Sequence, residues 1–322
     1  MLNSLFNKIH VYLDDKLEND KKLLIIKIIN ILLFPFIYLT KFFSFLFNNP
    51  LARYIYFESL KNKFLIKSSD TEKYIINSDD KVVSKFLYVS GTYDFIKFKK
   101  AINICFPDVK TNPIDLFLNV GANIGSICIP VVSRKYAKQS IAIEPEPKNY
   151  RNLVSNIYLN NLQDQIEYYR CAISDKNDED LKLELSEYNF ADHRISVSKN
   201  DGIYSEQERK KIVVKSKTLD YFCDKFNKQR NLIYMDVQGY EGIILQGCPK
   251  ILNMKIPIVL EVWPYGLNRT NSLEILKKMI KKYSYVYDLS EKNPEKRSSE
   301  VIEKIITNLG KENTKYTDIL IK

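Results

Sequence analysis

Nine glycines, two histidines and a single tryptophan are all that 322 residues contain. The five cysteines (Cys105, Cys128, Cys171, Cys223 and Cys248) form no C-x-x-C pair, so neither a zinc ribbon nor a disulfide framework is supported, and they read as reduced structural thiols. No group of His, Cys and carboxylates has metal-ligand spacing, so no metal is expected. The G-x-G-x-x-G fingerprint is missing, as is a convincing Tyr-x-x-x-Lys pair, which argues against a nicotinamide-dependent oxidoreductase. The formal net charge of +10 is spread through the chain without a compact Lys/Arg block. With no nucleic-acid motif beside it, nucleic acid is not an expected partner.

A long uninterrupted apolar run is also missing. Residues 23–47, LLIIKIINILLFPFIYLTKFFSFLF, are the most hydrophobic part, but Lys27 and Lys41 bracket only 13 uncharged residues, with Pro35 among them. A spanning helix wants about 20 apolar residues. The run begins late, follows Asp14, Asp15, Glu18 and Asp20, and lacks a small-residue cleavage site, so a signal peptide fits poorly. Two readings stand: an anchor lying in a membrane interface with its lysines at the headgroups, or a helical hairpin packed on protein. The expected location is cytoplasmic, peripheral on the inner face of the membrane if the anchor reading holds.

What is present suits a large α/β core, since 45% of residues are hydrophobic and 12% aromatic. Three segments follow from the pattern: a hydrophobic N-terminal helical segment (1–50), a lead-in subdomain (51–112) and a main domain (113–322). In the lead-in, Phe95, Phe98, Ile102 and Cys105 recur at helical spacing on one face. From Asp115 strands and helices alternate, which predicts right-handed crossovers and a doubly wound, mostly parallel sheet. Predicted strands are Asp115–Val120, Ser140–Ile143, Ile166–Ile173, Leu232–Met235, Ile258–Val262, Tyr283–Leu289 and Thr317–Ile321.

Ligands of such sheets sit beyond the carboxyl ends of the strands. There the chain carries Asn119-Val120-Gly121-Ala122-Asn123-Ile124-Gly125, a tight turn that brings backbone N–H groups to a ligand. Alone, G-x-x-x-G is equally a plain strand-to-helix turn. Glu144 lies 19 residues past Gly125, at the tip of the next strand, where a carboxylate accepts hydrogen bonds from both ribose hydroxyls. Together they indicate a nucleoside cofactor, NAD or S-adenosylmethionine.

NVGANIG, IEPEPKNYRNLVSNIYLNN, CAISD, LIYMDVQGYEGIILQG and PIVLEVW, in this order, resemble the FkbM-type methyltransferases from about Ser90 onward. The resemblance implies a Rossmann-like class I methyltransferase fold, with a seven-stranded, mostly parallel sheet, helices on both faces and the last strand antiparallel. It implies S-adenosylmethionine as cofactor. Gly121, Asn123 and Gly125 would line its methionine part and Glu144 would hold the ribose. Asn149 would support that loop, and Ala172 to Asp175 would lie near the adenine. Asp236, Gly239 and Glu241 match the family's D-x-E-G-x-E segment, facing the reaction centre, with Asp236 also implied in cofactor binding and Glu241 in acceptor binding. Asn119, implied at the cofactor's amino group, and Gln238 stand where the family usually has Asp and Glu, keeping shape while dropping charge.

Methyl transfer to a hydroxyl needs alignment, exclusion of water and a base. His193, in the polar insertion 189–203, is the candidate base, with Asp236 or Asp192 orienting it and Arg194 binding an acidic group of the acceptor. Trp263 and Tyr265 would offer an aromatic wall for a sugar ring. The expected acceptor is a small hydroxylated molecule, a sugar, a glycan or a lipid-linked saccharide. Two other classes stay open: an NAD-dependent sugar oxidoreductase or epimerase, and a non-catalytic membrane-associated partner of a glycan-assembly complex.

Overall fold

The computed structural model describes residue 39 and residues 49–68, 71–197, 202–310 and 314–322. The 23–47 run, Leu39 apart, lies outside the described residues. Among those described, no helix is long and apolar enough to cross a membrane.

Residues 57–322 form one unit around an eight-stranded sheet of order β13-β12-β14-β11-β10-β3-β4-β5. Its strands are β3 (Ile114–Val120), β4 (Ala137–Ile143), β5 (Ile166–Tyr169), β10 (Asn231–Met235), β11 (Ile258–Val262), β12 (Tyr285–Asp288), β13 (Arg297–Ser298) and β14 (Thr317–Ile321). The run β11-β10-β3-β4-β5 is parallel, whereas β14 joins β11 and β12 antiparallel. The family pattern of seven strands thus gains an eighth, the two-residue β13 at the edge of β12.

Every residue of β10, β11 and β14 is buried, because the sheet is covered on both faces. Alternation along β3 sends Phe117 into one apolar layer and Leu116, Leu118 and Val120 into the other. The first layer is completed by the lead-in. The helix α2 (Phe95–Cys105) buries Phe95, Phe98, Ile102 and Cys105, and Tyr74 and Ile76 of the strand β2 (Lys73–Asn77) join them. Before it in the chain come β1 (Phe64–Ser68), which pairs with β2, and the helix α1 (Val83–Ser90).

One predicted strand divides. Ile166–Ile173 breaks at Arg170-Cys171, and its end, β6 (Ala172–Ile173), leaves the main sheet to pair with β9 (Lys211–Lys217). With β7 (Asp180–Glu184) and β8 (Arg194–Ile195) these make a four-stranded sheet of order β6-β9-β7-β8. The physical reason is visible in DLKLE and KIVVKSK, whose two-residue alternation suits half-buried antiparallel strands rather than a crossover helix. Within the main sheet β3 has β4 on one side and β10 on the other, so chain direction along the sheet reverses there and opens a crevice beyond the strand ends.

Candidate active site

The crevice is built first by glycine. Gly121 has φ +78°, and a Cβ at that place would stand 2.1 Å from the carbonyl oxygen of Asp236, so the turn closes on β10 only without a side chain. Asn123 follows with φ +50°. Its N–H donates to Glu144 Oε2 at 2.9 Å, and the Glu146 N–H donates to Glu144 Oε1 at 2.9 Å. Burial pushes the Glu144 carboxyl up to about 8 against the pull of those two N–H groups. Each oxygen keeps a lone pair for a ligand hydroxyl.

Asn149 supports this loop from the helix α4 (Pro147–Leu159; α3 is Cys128–Ser133). Its N–H donates to Glu146 Oε2 at 2.6 Å, and its side-chain amide donates to the carbonyl of Phe190 at 2.8 Å. The Asn123 amide reaches the same carbonyl at 2.9 Å. Two amides therefore tie the 189–194 strap across the glycine turn.

The resulting cleft is lined by Asn119, Gly121, Asn123, Glu144, Ala172, His193 and Asp236 among others. Two residues expected to touch the cofactor are elsewhere. Gly125, φ +91°, would bring a Cβ to 2.6 Å from Ile129, so it serves helix packing. Asp175 is backed onto Gly247, where a Cβ would fall 2.2 Å from its Cα, and it accepts the Ser174 hydroxyl at 3.1 Å.

A second cavity opens beside the first and shares Tyr93, Asp94, Ala191, Arg194 and Asp236 with it. Trp263, Tyr204, Gln238, Glu261, Lys97 and Tyr316 are among the residues that line the rest. Gln238, held at φ +58°, donates from Nε2 to Asp236 Oδ1 at 2.6 Å and lies 3.4 Å from Glu261 Oε2. Burial foremost, and Asp318 next, raise Asp236 to about 6. Burial and the neighbouring carboxylates raise Glu261 further. Sequence reasoning passed over Glu261, Tyr93, Asp94 and Lys97. The available signal for Glu261 was one acid inside the otherwise apolar IVLEV.

Four acceptor-side roles change. Glu241 is wholly buried, accepts the Val237 N–H at 3.1 Å and pins the turn after β10 instead of lining either cavity. Arg194, only 4% exposed, bonds Asp192 and, at 2.9 Å, Glu206, so its charge is already spent. Tyr265 gives its hydroxyl to Glu206 at 2.8 Å and stitches the 203–206 loop. Asp192 holds Arg194 and Arg209, not His193.

His193 itself changes role. Its Nδ1 accepts the Ser186 N–H at 3.0 Å, and burial, with Arg209 and Lys148, lowers it to about 4. A neutral imidazole whose Nδ1 accepts carries its proton on Nε2, so it offers the cleft a donor rather than a base. Neither Asp192 nor Asp236 bonds it. His193→Ala is therefore expected to lower turnover by less than about tenfold, well under the ~10²–10⁴ of a lost general base. Steady-state kinetics checks this, and a loss of a thousandfold would restore His193 as the base.

Residues 119–287, just over half of the chain, match the family model described as the methyltransferase FkbM domain. The chain belongs to the FkbM methyltransferase family. It is an S-adenosylmethionine-dependent methyltransferase, which sets the nicotinamide alternative aside. Among solved structures it is similar to methyltransferase FkbM from Methylobacillus flagellatus KT, with 13% identity, a TM-score of 0.38 and coverage of 65% of this chain. It spans only 44% of that protein's length. It is also similar to TYW2 of M. jannaschii in complex with AdoMet, with 14% identity, a TM-score of 0.36 and coverage of 81% of this chain and 86% of that one. No curated protein matches the sequence.

The cleft residues fit this cofactor. Asn119 Oδ1 is buried without a partner, an acceptor that would suit the amino group of the methionine part. Glu144 would hold the ribose, and Cys171, Ala172 and Ile173, which line the same cleft, would give the adenine an apolar wall. The first turn has no room for a side chain at Gly121.

Proposed function

We propose that the enzyme methylates a hydroxyl oxygen of a sugar, free or carried in a glycan or lipid-linked saccharide, by direct in-line transfer. The observation that supports it is Asp236, a half-buried carboxyl that lines both cavities. Bound S-adenosylmethionine supplies a sulfonium-activated methyl group, so no covalent enzyme intermediate is needed. Gln238 fixes Asp236 Oδ1, leaving Oδ2 to take the hydroxyl proton as the acceptor oxygen attacks. A base raised to about 6 is ionised at neutral pH yet close enough to it to accept a proton well. The 189–194 strap closes one side of both cavities against water. Trp263 and Tyr204, 5.8 Å apart, give the acceptor pocket an aromatic wall, and carboxylates and an amide face it with acceptors for hydroxyl groups. Because Arg194 and Lys97 are both paired, a neutral sugar suits this pocket better than an acidic one.

Methyl-labelled S-adenosylmethionine offered with a panel of methyl glycosides and prenyl-phosphate-linked saccharides tests the proposal. Label in an alkali-stable O-methyl ether supports it. Label on nitrogen or carbon, or transfer only to acceptors without a sugar, contradicts it.

A further inference from the structure

The acceptor cavity is walled in part by residues outside the 119–287 family segment: Tyr93, Asp94 and Lys97 before it, Thr314 and Tyr316 after it. Those flanks bring an unusual charge arrangement. Glu261 of β11 and Asp318 of β14 are direct cross-strand partners, and both are buried, at 6% and 4% exposure. Like charges facing each other across a sheet repel, and burial worsens the cost. Asp236 stands at the end of the next strand, β10, linked to Glu261 through Gln238. Three carboxyls thus form a row across three adjacent strands.

Lys97, on the first turn of α2, sets its Nζ 2.6 Å from Asp318 and 3.2 Å from Asp94, and 5.3 Å from the centre of the Tyr316 ring. We propose that Lys97 is a positioning residue for methyl transfer: by pairing with Asp318 it keeps the row's outer member charged and leaves Asp236 free to act as base. The inference rests on the role of Asp236 given above. Asp94, the residue before α2, has a left-handed backbone (φ +51°) and no side-chain capping bond, and its carboxylate pairs with the Lys97 side chain instead of the backbone N–H groups of the helix's first turn.

The groups that face the row can be named element by element. The strand β10 and its turn contribute Tyr234, Asp236 and Glu241, and β11 contributes Glu261. Asp288 and Asp318 come from β12 and β14, with Tyr316 beside them. Tyr93, Asp94 and Lys97 come from the start of α2. Burial alone would lower Lys97, but Asp318 and Asp94 reverse that and raise it. Lys97 in turn lowers Asp236, Glu261 and Asp318 against their burial.

Trp263, the sole tryptophan, lines the same cavity and reports on the row. Its fluorescence, excited selectively, is followed against pH in the full-length protein, with Asp236→Asn identifying the transition that belongs to Asp236. The expected wild-type midpoint is about 6. Lys97→Met should move it up by at least one pH unit, on the order of tenfold in proton affinity, and Lys97→Arg should restore it. Should Lys97→Met fail to fold, the double variant Lys97→Met/Asp318→Asn removes both charges and should fold with a midpoint near the wild-type one. An unchanged midpoint in folded Lys97→Met overturns the proposal. A double variant that fails to fold, or whose midpoint rises as far as that of Lys97→Met, overturns it too. A wild-type transition that survives in Asp236→Asn contradicts instead the role given to Asp236.

Discussion

Glu144→Ala is expected to weaken S-adenosylmethionine binding at least about a hundredfold while the protein stays folded. Two ribose hydroxyls donating to a buried carboxylate are charge-assisted bonds, each worth roughly 1.5–3 kcal/mol, and about 2.7 kcal/mol is already a hundredfold. The variant also frees the N–H groups of Asn123 and Glu146, which now bond the carboxylate, so the turn loses its internal brace. A pH dependence follows with a definite sign. In the unliganded protein the Glu144 carboxyl is raised to about 8 from 4.5. Its contribution to folding stability is therefore complete below 4.5 and is lost as pH rises through 8. Ligand hydroxyls favour the ionised form, so binding tightens as pH climbs from 6.5 toward 8.5. The rise in melting temperature on adding cofactor should be larger at pH 8.5 than at pH 6.5. Scanning calorimetry checks it, and a shift that shrinks with pH would remove Glu144 from the ribose contact.

Asp236→Asn should cost about 10²–10⁴ in turnover and leave cofactor affinity within a few-fold. The amide keeps the side chain's shape beside Gln238 and takes away only the proton acceptor. Wild-type turnover should rise through about 6, where the Asp236 carboxyl ionises, to a plateau above it. Single-turnover rates with the labelled methyl donor separate binding from transfer. An Asn variant that keeps more than a tenth of the rate would mean that the acceptor loses its proton elsewhere.

The two family departures now have a physical setting. A glutamate at position 238 would add a third carboxyl between Asp236 and Glu261; Gln238 instead donates to the first at 2.6 Å and reaches the second at 3.4 Å. Asn119 likewise leaves an unpaired acceptor in the cleft without a further buried charge.

The strands were legible because β3, β4 and β10 are short apolar runs ended by glycine or an acid, and their ends carry Asn119, Gly121, Glu144 and Asp236 into one cleft. Charge pairing was not legible. Arg194 and Tyr265 read as acceptor ligands until the fold brought Glu206, 12 residues past the first and 59 before the second, against both. Lys97 and Asp318 are 221 positions apart and meet because β14 inserts between β11 and β12, an ordering that no local pattern encodes. The same holds for β6, which carries the apolar signature of its neighbours yet pairs with β9.

Titration of the purified protein with S-adenosylmethionine and S-adenosylhomocysteine by calorimetry, with NAD alongside, tests the central claim most directly. Micromolar, one-to-one binding of both sulfur nucleosides and none of NAD is the predicted result. Folded protein that binds neither sulfur nucleoside, or that binds NAD in their place, would contradict the account.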